Sequence, residues 1–343
     1  MSKENMTDLL PFEKLQRKIL IRKNAKTDPK FGKALGERTV VELLDAGAIN
    51  LNKPKGPTSH QVSAYVQKIF NINRTGHSGT LDPRVTGVLP VTLGRATRVV
   101  EALLHAGKEY VCIMHLHKLI PEQQLRKAME EFVGRIKQLP PVKSAVKREW
   151  RFRKIYYLDI LEIDGQDVLF RVGCQAGTYI RKLCHDIGTK LGIGAHMAEL
   201  VRTKAGPFQF GDKMFTLQDC EDAMYYYEKE KNEKFLRAML QPMESAIVHL
   251  PKVWVFDQVV DVLCHGSDLK VPGIVKVSSD IQVDEMVGIM TLKDELIALG
   301  HVKMTSKDLV TQEKGLAIKT YKVLMQPGVY PKWKREEEIS KDL

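Results

Sequence analysis

Apolar positions change period several times along this chain, and each change predicts an element. Residues 39–46 read as a short helix closed by Gly47, and residues 48–51 as a buried strand. After the turn K-P-K-G-P, Thr58 and Gln61 stand at capping-box spacing. The helix they open carries Val62, Tyr65, Val66 and Ile69 on one face. Residues 87–93 are strand-like, 96–104 helical with an end near Gly107, and 108–117 alternate as a strand. Residues 122–133 form an amphipathic helix, and Pro140-Pro141 marks a loop. Residues 155–163 and 167–174 predict a hairpin across Asp164-Gly165, a type I′ turn signal. A strand that ends in Gly177 leads to a helix over about 179–191, for which Thr178 is the candidate N-cap. Strands and helices mix without a regular βαβ repeat, which predicts an α+β fold with a mainly antiparallel sheet.

Near residue 250 the pattern shifts to short alternating strands, V-W-V-F, G-I-V-K-V, M-V-G-I-M and E-L-I-A-L, between Gly, Pro or Asp turns. This predicts a separate β-rich module, a small β-barrel. Residues 1–37 have little periodicity and read as an extension, and residues 329–343 as a charged tail. The expected domains are therefore 38–250 and 251–328, within the range that 343 residues allow.

Composition narrows the class. Nowhere do eighteen apolar residues run together, so no membrane span is expected, and the start lacks the apolar region of a secretory signal. Five cysteines, odd in number and without a C-x-x-C, fit reduced thiols in a cytoplasmic protein. His115 and His117 share a strand face, but no third ligand stands at a recognisable spacing, so no metal site is expected. A net charge of +11 favours a polyanionic partner. The charge clusters in K-S-A-V-K-R-E-W-R-F-R-K, from Lys143 to Lys154. There Lys147, Arg148, Arg151, Arg153 and Lys154 can meet phosphates while Trp150 and Phe152 stack on bases, although a solvated edge strand would use some of the same cations.

The candidate chemistry lies in R-T-G-H-S-G-T-L-D-P-R-V-T-G-V-L-P, from Arg74 to Pro90. One carboxylate, Asp82, sits in a loop of Gly, Pro and small hydroxyl residues, with Arg74 and His77 close by. About a hundred residues on, G-T-Y-I-R-K-L puts Arg181 in the first turn of a helix, where a cation opposes the macrodipole. A carboxylate partner would compensate, and pairing favours the charged form of a partly buried acid. An ionised, desolvated carboxylate can attack an electrophilic carbon or remove a proton. Tyr110 in K-E-Y and Tyr179 could offer a flat face and a hydroxyl, or be core tyrosines.

K-P-K-G-P-T-S-H, G-H-S-G-T-L-D-P-R-V-T-G-V-L-P, K-E-Y and G-T-Y-I-R-K-L together resemble the TruB/dyskerin family of pseudouridine synthases, in order over residues 45–330. The terminal module, with G-S-D-L-K-V-P-G-I, resembles a PUA RNA-binding domain. Within the family the chain is most similar to the archaeal-type catalytic subunits of H/ACA ribonucleoproteins. The resemblance implies cleavage of the uridine C1′–N1 bond, rotation of the base and rejoining through C5, with no metal or organic cofactor. It makes Asp82 the essential aspartate, acting as nucleophile or as base. Tyr110 becomes the stacking tyrosine and Arg181 the arginine that pairs with the aspartate. His77 would fill space in the RNA when the uridine flips out, Lys53 and Pro54 would support the loop, and Tyr179 and Leu200 would line the site. Arg74 and the basic cluster would hold RNA. The implied partners are an H/ACA guide RNA, rRNA, tRNA and small H/ACA proteins. The chain is short between His117 and Pro121, where bacterial stand-alone enzymes carry a tRNA-gripping insertion. That favours rRNA in a guided complex, with uridine 55 of the tRNA T-arm as a further target. A guide-independent tRNA enzyme and an inactive RNA-binding scaffold are the competing readings.

Overall fold

In the computed structural model residues 9–140, 147–211 and 213–332 are described. Two mixed sheets organise them. The larger has ten strands. Its main path runs Gln241–Pro242, Gly47–Lys53, Thr86–Leu93, Ala195–Ala205, Lys108–Leu116, Asp167–Cys174, Arg151–Asp164 and Gly134–Gln138. Thr75–His77 pairs with Thr86–Leu93, and Phe208–Gln209 with Ala195–Ala205. Every pairing in it is antiparallel except Thr86–Leu93 with Ala195–Ala205. That parallel pair joins two strands far apart in sequence, and both candidate active-site segments adjoin it.

One face of this sheet is covered by helices whose apolar stripes match it. Ser59–Ile69 and Leu217–Glu230 bury Val62, Val66, Cys220 and Ala223 against Leu51, Leu89 and Val91. Ile180–Lys190 buries Ile180, Leu183, Cys184 and Ile187 against Cys112, Phe170 and Val172. Capping boxes at Thr39, Thr58, Thr216 and Thr305 satisfy the first backbone donors of four helices.

The smaller sheet has seven strands, from Ile19–Ile21 at one end of its order to Leu269–Lys270 at the other. Six of them, all but Ile19–Ile21, send buried residues into one core, among them Val253, Leu269, Val277, Val287, Ala298 and Ile318. Ile19–Ile21, from the N-terminal segment, extends this sheet by pairing with Ile274–Ser278. Around that strand Leu10 is fully buried, Glu13 pairs with Lys204, and Arg17 pairs with Asp280 and donates to the His249 carbonyl. The segment therefore ties the two sheets together through long-range contacts that leave no periodic trace.

Local differences from expectation have local causes. Tyr65 lies on the exposed side of its helix, and Ser63 takes the inward position, its hydroxyl bonded to Thr75. The hairpin turn is centred one residue late. Asp164 pairs with Asp167, and only Gly165 has positive φ (57°), the pattern of a II′ rather than a I′ turn. Residues 94–99 are 3-10 helix before the α-helix Val100–His105, and the predicted 122–133 helix ends at Glu130. His115 and His117 both stack on His196, and His115 bonds Asp167.

Candidate active site

The Asp82 loop is pinned from beneath by its own apolar and small polar residues. Leu81 and Val85 on either side of Asp82 are buried in the same core as Cys112, Ile180 and Leu200. Asp82, Pro83 and Arg84 are left facing solvent. Ser59, at the start of its helix and fully buried, receives the Leu81 N–H at 2.8 Å and donates to the Leu81 carbonyl at 3.1 Å. The Val85 N–H donates to the Asp82 carbonyl, closing a turn.

Lys53 supplies the strongest tie. Its side chain is fully buried, and its ammonium donates to the carbonyls of Pro54, Pro83 and Val85 at 2.9, 3.1 and 3.0 Å. Burial pushes its pKa down, and the nearby Asp82 carboxylate pushes it back up. A buried ammonium with three carbonyl acceptors fixes the loop far better than a surface charge could.

Arg181, the second residue of the helix Ile180–Lys190, donates from Nη2 to Asp82 Oδ2. Both side chains are about half exposed, so the pair sits in an open cleft. The helix has no side-chain N-cap: Tyr179 occupies that position, and the Thr178 hydroxyl donates instead to the Gln175 carbonyl. The expected Thr178 cap is therefore absent. Gln138 takes over, donating to the Tyr179 carbonyl and accepting the Tyr179 N–H. This buried glutamine was missed because a single Gln at a strand end carries no distinguishing signal.

Tyr110 and Leu200 meet in the same cluster as Leu81, Val85 and Ile180, from neighbouring strands. Burial raises the Tyr110 pKa, while the charge of the nearby Arg202 guanidinium opposes the rise. Arg202 was also missed, since an arginine inside L-V-R-T-K reads as one more surface cation. His77, on the short strand Thr75–His77, is partly buried and held neutral by burial and by the charge of Arg202.

The basic cluster divides between two faces. Residues 141–146, with Lys143, lie outside the described residues. Lys147, Arg148 and Trp150 are exposed, as are Phe152 and Lys154 on one face of the strand Arg151–Asp164. Arg151 and Arg153 point to the other face, and Arg153 folds against Gly177. Two cations from the neighbouring strand join the aromatic face: Arg135 lies 3.8 Å from the Phe152 ring centre and Lys137 4.8 Å from that of Trp150. The R-I-K alternation at 135–137 was the available sign of them. Arg74 is exposed just ahead of the His77 strand. Among the described residues no group of three His, Cys, Asp or Glu could hold a metal, and no helix is long and apolar enough to cross a membrane.

Comparison with known proteins finds relatives over nearly the whole chain. Residues 67–180 match the TruB family pseudouridylate synthase N-terminal domain and residues 181–248 the tRNA pseudouridylate synthase B C-terminal domain. Residues 251–324 match the PUA domain, and residues 7–63 the DKCLD (NUC011) domain. A probable tRNA pseudouridine synthase B of Thermococcus onnurineus is 52% identical over 97% of this chain and 99% of its own length. One from Methanosarcina barkeri is 49% identical over 93% and 95%. Among solved structures, a chain of a Cbf5-Nop10-Gar1 complex has a TM-score of 0.92 at 51% identity, covering 96% of this chain and 100% of that one. A chain of an H/ACA RNP bound to a substrate RNA containing 2′-deoxyuridine has a TM-score of 0.89 at 49% identity, covering 95% and 100%. With its candidate acid on a pinned loop, its paired arginine and its C-terminal PUA domain, the chain belongs to the TruB family of pseudouridylate synthases.

Proposed function

We propose that this pseudouridine synthase acts through the Asp82 carboxylate on a uridine turned out of its RNA, breaking C1′–N1, letting the base rotate and rejoining it through C5. The observation that carries the reading is the Asp82–Arg181 pair, an accessible carboxylate on a loop immobilised by Lys53 and Ser59. Arg181 fixes the direction of the carboxylate, and an approaching ribose meets an oxygen already aimed. Tyr110 supplies the face against which the uracil stacks, with Leu200 and Tyr179 as neighbouring wall. His77 fills the gap left in the RNA, a role suited to a ring held neutral. Flipping a base costs a few kcal/mol and is easiest for an unpaired one, so the substrate is a loop or a base exposed by guide pairing.

The RNA face consists of Trp150, Phe152 and Lys154 with Arg135 and Lys137, continued by Arg74, Lys147 and Arg148. Arg151 and Arg153 support it from the opposite side. Rings exposed beside cations suit single-stranded RNA. The PUA domain, 251–328, anchors RNA away from the catalytic domain, 38–250. Since similar chains come from a Cbf5-Nop10-Gar1 complex and an H/ACA RNP, we assign rRNA in a guided complex as the main substrate. Uridine 55 of the tRNA T-arm is a further target, as the names of the curated relatives suggest. Unpaired cysteines fit the cytoplasm.

The test is pseudouridine mapping on one guide-paired rRNA fragment and one tRNA, with and without guide RNA and partner proteins. Product on the guide-paired fragment, and its loss in Asp82→Ala with RNA binding retained, is the expected result. Product from Asp82→Ala would refute the catalytic assignment, and tight binding with no product from the unaltered protein would leave a scaffold.

A further inference from the structure

Arg202 lies deep in the molecule, 1% exposed, on the strand Ala195–Ala205. Its register is unusual. Glu109 faces Lys204, but Tyr110 faces Arg202, so Thr203 is an extra residue bulged out of the ladder. Bulges re-aim side chains, and this one replaces Thr203 with Arg202 opposite Tyr110. Thr203 uses its freedom to donate to Glu109 at 2.8 Å, which holds the bulge in place.

The Arg202 donors are spent on the site. Nε donates to the Val88 carbonyl at 2.7 Å, and both terminal nitrogens reach the Gly79 carbonyl at 3.3 Å. Gly79 and Val88 bracket Asp82 on either side, so one guanidinium clamps both ends of its loop. Its cross-strand neighbour is Tyr110, so the clamp stands beside that ring. No ion pair of Arg202 is found among the described residues. A buried cation without a carboxylate is costly to keep, and packing alone would be better served by an apolar residue.

We infer that Arg202 is a positioning residue of this active site: it clamps both ends of the Asp82 loop and so fixes where the carboxylate stands. A guanidinium holds its donors in one rigid plane, so a single side chain can tie carbonyls on opposite sides of the loop. The inference rests on the proposed role of Asp82.

The experiment compares Arg202→Lys and Arg202→Gln with the unaltered enzyme in single-turnover pseudouridine formation by the assembled complex, with RNA affinity and thermal melting measured alongside. Arg202→Lys is expected to slow the reaction ~10- to 100-fold while RNA affinity changes less than about threefold. The loss is expected at temperatures where each variant is fully folded, because it comes from a displaced carboxylate. A loss of rate that only tracks loss of folded protein would overturn the inference. So would wild-type rates in both Arg202 variants, or failure of both to fold, which marks a purely structural role. Asp82→Ala in the same reaction tests the site separately: if it stays active, the site assignment falls and takes the inference with it. If Asp82→Ala is silent while both Arg202 variants keep full rate, only the inference falls.

Discussion

Acidification should weaken this protein through one histidine. His249 lies between the catalytic domain and the PUA domain, 8% exposed. Its Nε2–H donates to the Ala102 carbonyl at 3.1 Å, Phe12 packs edge-on against the ring, and Nδ1 is buried without a partner among the described residues. Burial, with help from the charges of Lys108 and Arg17, lowers its pKa from 6.5 to about 4. A second proton on this ring would enter an apolar site beside two cations. The sign follows from linkage: between pH 6.5 and 4 the unfolded chain binds the proton and the native protein does not. The contribution is fully present above pH 6.5 and is lost as pH falls toward 4. At ~1.4 kcal/mol for each pKa unit it amounts to about 3 kcal/mol in full, with about 2 kcal/mol lost by pH 5. Urea unfolding at pH 7.5 and pH 5, for the unaltered protein and for His249→Gln, isolates it. Glutamine can still donate to Ala102 but cannot be protonated. The stability difference between the two pH values should shrink by about 2 kcal/mol in the variant. Equal pH dependence in both proteins would refute the reasoning, since other histidines and carboxylates are common to them.

Three further outcomes are expected. Lys53→Met leaves the Pro83 and Val85 carbonyls without their donor, and should cost about 2–4 kcal/mol of stability and slow turnover ~100-fold, read by denaturant unfolding and single-turnover rates. Gly87→Ala should cost at least ~2 kcal/mol in the same unfolding assay: Gly87 has φ of 103°, and an added Cβ would stand 2.3 Å from the Arg202 carbonyl oxygen across the parallel pair. Trp150→Ala should weaken single-stranded RNA binding by ~1–3 kcal/mol without changing the melting temperature or the salt slope, whereas Lys154→Ala should lower that slope by about one. Filter binding over a salt series separates the two.

Much of this is legible in the sequence, because it depends on local rules. Capping boxes at Thr58 and Thr39, the alternation of residues 108–116 and the apolar stripe of the helix bearing Arg181 are written in spacing, which the backbone geometry of helix and strand reads directly. The Gly, Pro and small hydroxyl residues around Asp82 likewise announced a constrained loop. The N-terminal segment was opaque because its order comes from partners more than two hundred residues away: Ile19–Ile21 on Ile274–Ser278, and Arg17 on Asp280. The sequence by itself determined the fold class, the acid and its arginine partner. Only the tertiary structure decided what lies beneath them: Arg202, an ordinary cation on paper, becomes a buried anchor beside Lys53, which the family resemblance already placed under the loop, because a parallel strand pair and a one-residue bulge close over it. Burial and register are properties of the assembled sheet, and no spacing along a single strand contains them.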